Sequence, residues 1–133
     1  MTTLVDTSAL FALVSETDPR HDRALAWLEG VAALEDERLL THNYVVTETI
    51  ALTHARLGMP AIRLLLDEIM PVCEIRFVDE DLHERVVTAF LAGLRRGVSF
   101  VDRTSFELMR ETGIRQAFAF DDDFVDEGFE TVP

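Results

Sequence analysis

The sequence predicts an α/β fold, a single domain over residues 1–133 with a central, mostly parallel sheet flanked by helices. Short β-branched and apolar runs alternate with longer segments of helical periodicity along the whole chain, which implies right-handed crossovers between parallel strands. The first run, Thr2-Thr3-Leu4-Val5-Asp6, reads as a buried strand that ends on an acid. No internal repeat, linker or low-complexity segment divides the chain. At 133 residues and 48% hydrophobic content it is sufficient for one packed core.

Each element follows from local signals. Ser8 is placed to cap a helix through Ala9, Leu10, Phe11, Leu13 and Val14. Asp18-Pro19 marks a second helix start, with Asp18 as cap and Pro19 at the first helical position. Ala24, Leu25, Leu28, Val31 and Ala32 then form a core stripe, with Trp27 on its edge. A second strand runs from Arg38 to Thr41. The helix after it carries Tyr44, Val45, Val46, Ile50, Ala51, Leu52 and Ala55 and stops at Gly58-Met59-Pro60. Pro60 opens another helix with Ile62, Leu65, Leu66 and Ile69 inward, and Pro71 ends it. Residues 72–78 alternate as a strand, with Cys73, Ile75 and Phe77 on one face and Glu74 and Arg76 on the other. A long amphipathic helix carries Leu82, Val86, Phe90 and Leu94 and closes at Gly97. Ser99 to Asp102 leads into a helix with Phe106 and Met109 on one side, ending at Gly113. An apolar strand at residues 117–120, the acids Asp121-Asp122-Asp123 and a last strand at residues 129–132 complete the chain.

Composition narrows the chemistry. One cysteine, Cys73, excludes an internal disulfide and a cysteine-based metal site, and its apolar neighbours make it a core thiol. No apolar run approaches a membrane span and Asp6 breaks any leader-like pattern, so the expectation is a cytoplasmic protein with no membrane association. There are 25 acids against 12 bases, and every base is an arginine. The absence of lysine removes P-loop phosphate chemistry and Schiff-base chemistry. A net charge of −13 argues against holding nucleic acid by bulk electrostatics. A polyanionic substrate would need recruited cations or local arginines.

With so many acids, only those in unfavourable places are informative. Asp6 taken alone serves as a cap or turn residue more often than as a ligand. Glu48, however, has Tyr44, Val45, Ala51 and Leu52 as helical neighbours, which places it within an apolar stripe. A buried lone carboxylate is costly unless paired, protonated or bound to a cation. Asp102 opens a helix on the side of Phe106 and Met109, although a helix N-terminus itself favours an anion. Asp6 and Asp121 each directly follow an apolar strand. A parallel sheet brings such points to one edge. An oxygen-only ligand set selects a hard cation, Mg²⁺ or Mn²⁺. The histidines have no metal-ligand spacing, and only His42, just past the second strand, lies close to this edge.

Val-Asp-Thr-Ser-Ala-Leu, Tyr-Val-Val-Thr-Glu-Thr, Val-Ser-Phe-Val-Asp-Arg-Thr-Ser-Phe and Ala-Phe-Ala-Phe-Asp-Asp-Asp-Phe together resemble the motifs of the PIN-domain ribonucleases, and within them the VapC toxins of bacterial toxin–antitoxin pairs. The resemblance runs in order over nearly the whole chain. It implies that Asp6, Glu48, Asp102 and Asp121 are the catalytic, metal-binding acids, with Asp123 a less regular fifth. It further implies that Thr7 or Ser8 is the hydroxyl following the first acid and Ser105 a polar residue of the third motif. Arg103 stands where the family often has a small residue; it either contacts phosphate or pairs with a neighbouring acid. Arg95, Arg96, Arg110 and Arg115 fall near the third motif, where they would track a backbone or simply end solvated helices. The implied activity is Mg²⁺-dependent endoribonuclease action on an RNA substrate, with a VapB-type antitoxin as partner and a homodimer as assembly. A second class stays open: a catalytically silent PIN-fold module whose acidic pocket receives a partner's arginine.

Overall fold

The structure is a computed structural model that describes residues 1–93 and 97–133. Five strands form one parallel sheet: β1 (Thr2–Val5), β2 (Arg38–His42), β3 (Glu74–Arg76), β4 (Gln116–Phe118) and β5 (Glu130–Val132), in the order β3-β2-β1-β4-β5. β1 is central because both neighbours need it: Leu4 pairs with Leu40 on one side and with Ala117 on the other. The chain winds outward from β1 in both directions, so the carboxyl end of β1 is the point where the winding reverses. Open α/β sheets place their sites there.

The helices are α1 (Thr7–Val14), α2 (His21–Ala32), α3 (Asn43–Leu57), α4 (Met59–Leu64), α5 (Glu80–Ala92), α6 (Phe100–Thr112) and the short α7 (Asp123–Asp126). α4 continues through a π turn at Leu65–Ile69 and a 3₁₀ turn at Met70–Val72. Two cores cover the two faces of the sheet. Val5, Leu10, Leu13, Val45, Leu65 and Phe118 pack with α1 to α4, and Trp27 closes on Phe118 at 4.4 Å between ring centroids. Leu4, Leu40, Leu82, Val86, Phe106 and Phe124 pack with α5 to α7. Leu4 and Val5 belong to opposite cores because successive strand residues alternate faces.

Several element limits differ from the sequence reading. Asp6, not Ser8, caps α1, its carboxylate accepting from the Ser8 backbone N–H. Asp18-Pro19 forms a turn before α2, whose first residue is His21, because the Asp18 carboxylate accepts from the Arg20 N–H at 2.8 Å. In α2 only Ala24 is fully buried, and Leu25 and Ala32 are exposed. Leu66 and Phe77 point outward, since the π turn shifts the phase of α4 and β3 is a three-residue edge strand. Helix α5 ends at Ala92 with Gly93 as cap, not at Gly97, and Leu94 lies outside the described residues. Gly113 does end α6, at φ 75°, a left-handed conformation that suits glycine. No helix among the described residues is long and apolar enough to cross a membrane.

Candidate active site

The strand ends are locked together before any acid is placed. The Asp6 N–H donates to the Phe118 carbonyl, fixing β1 to β4, and the Thr41 hydroxyl donates to the Val5 carbonyl, fixing β2 to β1. Ser8 adds a further tie: its hydroxyl donates to Asp6 Oδ2 at 2.6 Å and accepts from the Phe120 N–H at 3.0 Å. Of the two hydroxyls that follow Asp6, Ser8 is the one bonded to its carboxylate. Thr7 Oγ1 is buried with no hydrogen-bond partner among the described residues.

Around this frame lies a cleft of 310 Å³ lined by Asp6, Ser8, Glu48, Ser99, Asp102 and Asp121, with Asp18, Arg20 and Arg56 on its rim. All four acids singled out from the sequence reach it. Asp123 joins them, because one carboxylate oxygen each from Asp102, Asp121 and Asp123 lies within 4.8 Å of the others. The turn that allows this is local: Asp121 Oδ1 accepts from the Asp123 N–H at 2.9 Å.

The charges are strained. Asp6 is 3% exposed, and burial is the main cause that raises its carboxyl from 3.8 to about 6; the Ser8 hydrogen bonds oppose the rise and Asp121 adds to it. Its Oδ1 is buried and has no hydrogen-bond partner among the described residues. An unpaired buried acceptor costs about 1–3 kcal/mol. Asp102 is raised from 3.8 to about 7, first by burial and then by Asp6 and Asp121. Its backbone N–H is taken by Ser99, the cap of α6. An orphaned carboxylate oxygen, a crowded set of acids and an oxygen-only donor set fit a hard divalent cation.

Glu48 corrects one expectation. The buried face of α3 is Val45, Thr49 and Thr53, and Glu48 is half-buried beside it, at the cleft wall. His42 is a residue the motifs did not explain. It is fully buried and caps α3, its Nδ1 accepting from the Val45 N–H, while Nε2 lies 2.8 Å from the Ser105 hydroxyl. With Nδ1 an acceptor, Nε2 carries the proton and donates to Ser105, and burial pushes the imidazole down to about 4. This bond ties the start of α3 to α6, and so Glu48 to Asp102.

Arg103 does not face the cleft. Its guanidinium reaches Glu127 at 3.4 Å and lies 5.6 Å over the Phe106 ring. Arg110 pairs with Glu107 and Glu127, and Arg115 precedes β4 at the opposite edge of the sheet from Asp121. Neither can follow a substrate across the acids. Arg95 and Arg96 lie outside the described residues. The cations that do line the cleft, Arg20 and Arg56, went unread, although the i, i+4 steps Glu48, Leu52 and Arg56 mark one side of α3.

A family model for the PIN domain matches residues 3–129. The chain is a PIN domain. Over 129 residues, 96% of its length and 95% of the relative's, it is 36% identical to the 23S rRNA-specific endonuclease VapC20 of Mycobacterium tuberculosis, in strains CDC 1551 and H37Rv. The crystal structure of VapC20, described as a sarcin-ricin loop cleaving toxin, superposes with a TM-score of 0.85 at 34% identity over the whole of both chains. The VapC-type resemblance of the motifs is thereby upheld. The same PIN fold appears in VapBC2 of Rickettsia felis bound to a promoter DNA fragment, at a TM-score of 0.66 and 11% identity, covering 98% of this chain and 97% of that one. It appears again in FitAcB of Neisseria gonorrhoeae, at 0.67 and 18%, covering 100% and 97%.

Proposed function

We propose that this PIN domain is a divalent-metal-dependent endoribonuclease that acts as the toxin of a type II toxin–antitoxin pair. The observation that carries the reading is the convergence of Asp6, Glu48, Asp102 and Asp121 on one cleft, with Asp6 Oδ1 buried and unpartnered. Asp102, Asp121 and Asp123 would hold Mg²⁺ or Mn²⁺, together with the free oxygen of Asp6. A divalent ion supplies Lewis-acid activation of water and of the phosphodiester. Ser8 engages Asp6 Oδ2 through its hydroxyl and its N–H, so Oδ1 would be the oxygen left for an ion. Glu48 completes the cleft from α3, where it orients water against the scissile phosphate. No protein nucleophile is required, and Cys73 is unsuited to the role because burial pushes its thiol up to about 11.

RNA is the substrate class, and ribosomal RNA the first candidate, because the relative at 36% identity is named a 23S rRNA-specific endonuclease. A VapB-type antitoxin is the proposed partner, because the VapC20 structure this chain resembles is described as a toxin. A homodimer is the proposed assembly; Val87 and Leu91, one turn apart on α5, are exposed and would be covered by a second copy. Expression of the chain alone in bacteria tests the reading. Growth should arrest, and Asp6→Ala or Asp102→Ala should relieve the arrest at equal protein level. Equal toxicity of the double variant would show that the acids are not its cause.

A further inference from the structure

A protein of net charge −13 that handles RNA must hold the strand with local groups, and α3 carries two different kinds of them, one on each side of Glu48. We propose that a single-stranded stretch of RNA crosses the acid cleft along α3, with its phosphates held by Arg56 and Arg20 at one end and an unstacked base received by the Tyr44–His83–Phe100 wall at the other. The inference rests on the nuclease reading above and adds direction and contacts to it.

At the first end, Arg56 lies in the last turn of α3, eight residues beyond Glu48, or about 12 Å along the axis. It has no carboxylate partner among the described residues, and its guanidinium lies 5.7 Å over the Phe11 ring. Arg20 stands just before α2, its guanidinium 5.1 Å over the Phe120 ring with Nε 3.4 Å from Asp18 Oδ1. Stacking on aromatic rings orients a guanidinium and leaves its N–H fork for phosphate oxygens. Both groups border the same cleft as the acids.

At the other end, Tyr44 is one turn before Glu48, about 6 Å along the axis. Glu48 borders both the acid cleft and a hollow of 550 Å³ walled by Tyr44, His83 and Phe100. The wall is assembled in advance. Tyr44 and Phe100 stack at 6.1 Å with 30° between planes, His83 meets Phe100 at 5.5 Å, and the Tyr44 hydroxyl is hydrogen-bonded to His83 Nδ1 at 2.5 Å. Tyr44 and Phe100 are half-buried and His83 is exposed, so ring surface faces solvent. Asn43, in the same hollow, uses its Oδ1 for the Val78 N–H and keeps its amide N–H groups for a base edge. A π surface one helical turn from a phosphate-cleaving centre matches the spacing of a nucleotide. Unstacked loop bases are what proteins commonly stack on aromatic side chains. The phosphate cations and the base wall lie on opposite sides of the acids, which fixes the path of the strand.

The test reads binding apart from cleavage. In an Asp102→Asn background with Mg²⁺ present, binding of short labelled single-stranded RNA is titrated at several salt concentrations. The expected result is that Arg56→Ala and Arg20→Ala each weaken binding and lower the slope of log affinity against log salt by about 0.7. Tyr44→Ala should weaken binding about tenfold, with Tyr44→Phe recovering most of the loss. An abasic site at one position of the oligomer should remove the difference between Tyr44 and Ala. In the active protein, the same variants should raise KM more than they lower kcat. Unchanged affinity and salt slope in an enzyme that still cleaves RNA would overturn the path and leave the nuclease reading standing. The full pattern of binding losses in a protein that cleaves nothing would do the reverse. If Tyr44→Ala alters only antitoxin affinity, or only the mass of the protein in solution, the wall belongs to a peptide or to a second copy, and the proposal fails.

Discussion

Replacing Asp102 with asparagine should make the metal-free protein more stable at neutral pH and above. The Asp102 carboxylate sits 9% exposed among Asp6 and Asp121, and hydrogen bonding with Ser99 offsets only part of the resulting rise. A folded-state value raised above the unfolded one means that ionisation opposes folding. The penalty is absent below about pH 4, grows as pH rises, and is complete above about 7, where the folded group ionises. The rise from 3.8 to about 7 corresponds to roughly 4 kcal/mol, and relaxation and water at a cleft wall reduce this to about 2 kcal/mol. For a chain of 133 residues that is a shift in Tm of about 5–8 °C. Thermal melts of both proteins in EDTA at pH 8 and pH 4.5 measure it. The gain should be large at pH 8 and about fourfold smaller at pH 4.5. Added Mg²⁺ should stabilise the wild type and the variant much less, because binding to the native state acts through affinity. A variant that melts below wild type at pH 8, or a gain that does not depend on pH, would refute the reasoning.

Other consequences are more local. His42→Asn keeps a cap but loses the Ser105 bond and the buried ring, so urea unfolding at pH 8 should show a loss of about 2 kcal/mol. Because the His42 imidazole is lowered from 6.5 to about 4, its contribution to stability falls as pH drops from 6.5 to 4; the variant should lack that part of the acid dependence. Arg103→Ala should destabilise by about 1–2 kcal/mol, since it leaves the half-buried Glu127 carboxylate with one fewer cation, while KM for RNA stays the same. Gly113→Ala should cost about 1 kcal/mol in urea melts, from its φ of 75° alone, because no atom lies within 4 Å of an added Cβ.

The parallel sheet was legible because each strand is a short apolar run between helical segments, and the acids at two strand ends were legible because a carboxylate is unexpected beside such runs. The inward face of α3 was not. It is built from Val45, Thr49 and Thr53, and Thr49 hides its hydroxyl by donating to the Val45 carbonyl at 2.7 Å. A polar residue that satisfies itself within the helix reads as surface, so the apolar stripe was placed one residue out of phase and Glu48 was put deeper than it lies. The same holds for His42, whose burial depends on Ser105, 63 positions away. Asp18-Pro19 misled because the Asx turn and the helix cap share one sequence signature. Phe77 was grouped with Cys73 and Ile75 by alternation, but β3 ends at Arg76 and Phe77 beyond it is 72% exposed.

The central claim is that these carboxylates cut RNA through a divalent ion. Its most direct test is purified protein incubated with ribosomal RNA, with 5′ ends mapped, in Mg²⁺, in EDTA, and with Asp102→Asn. The expected result is cleavage at one or a few positions in Mg²⁺, none in EDTA, recovery when Mg²⁺ or Mn²⁺ is restored, and no cleavage by the variant. Undiminished cleavage in excess EDTA by protein whose Asp102→Asn form is equally active would contradict it.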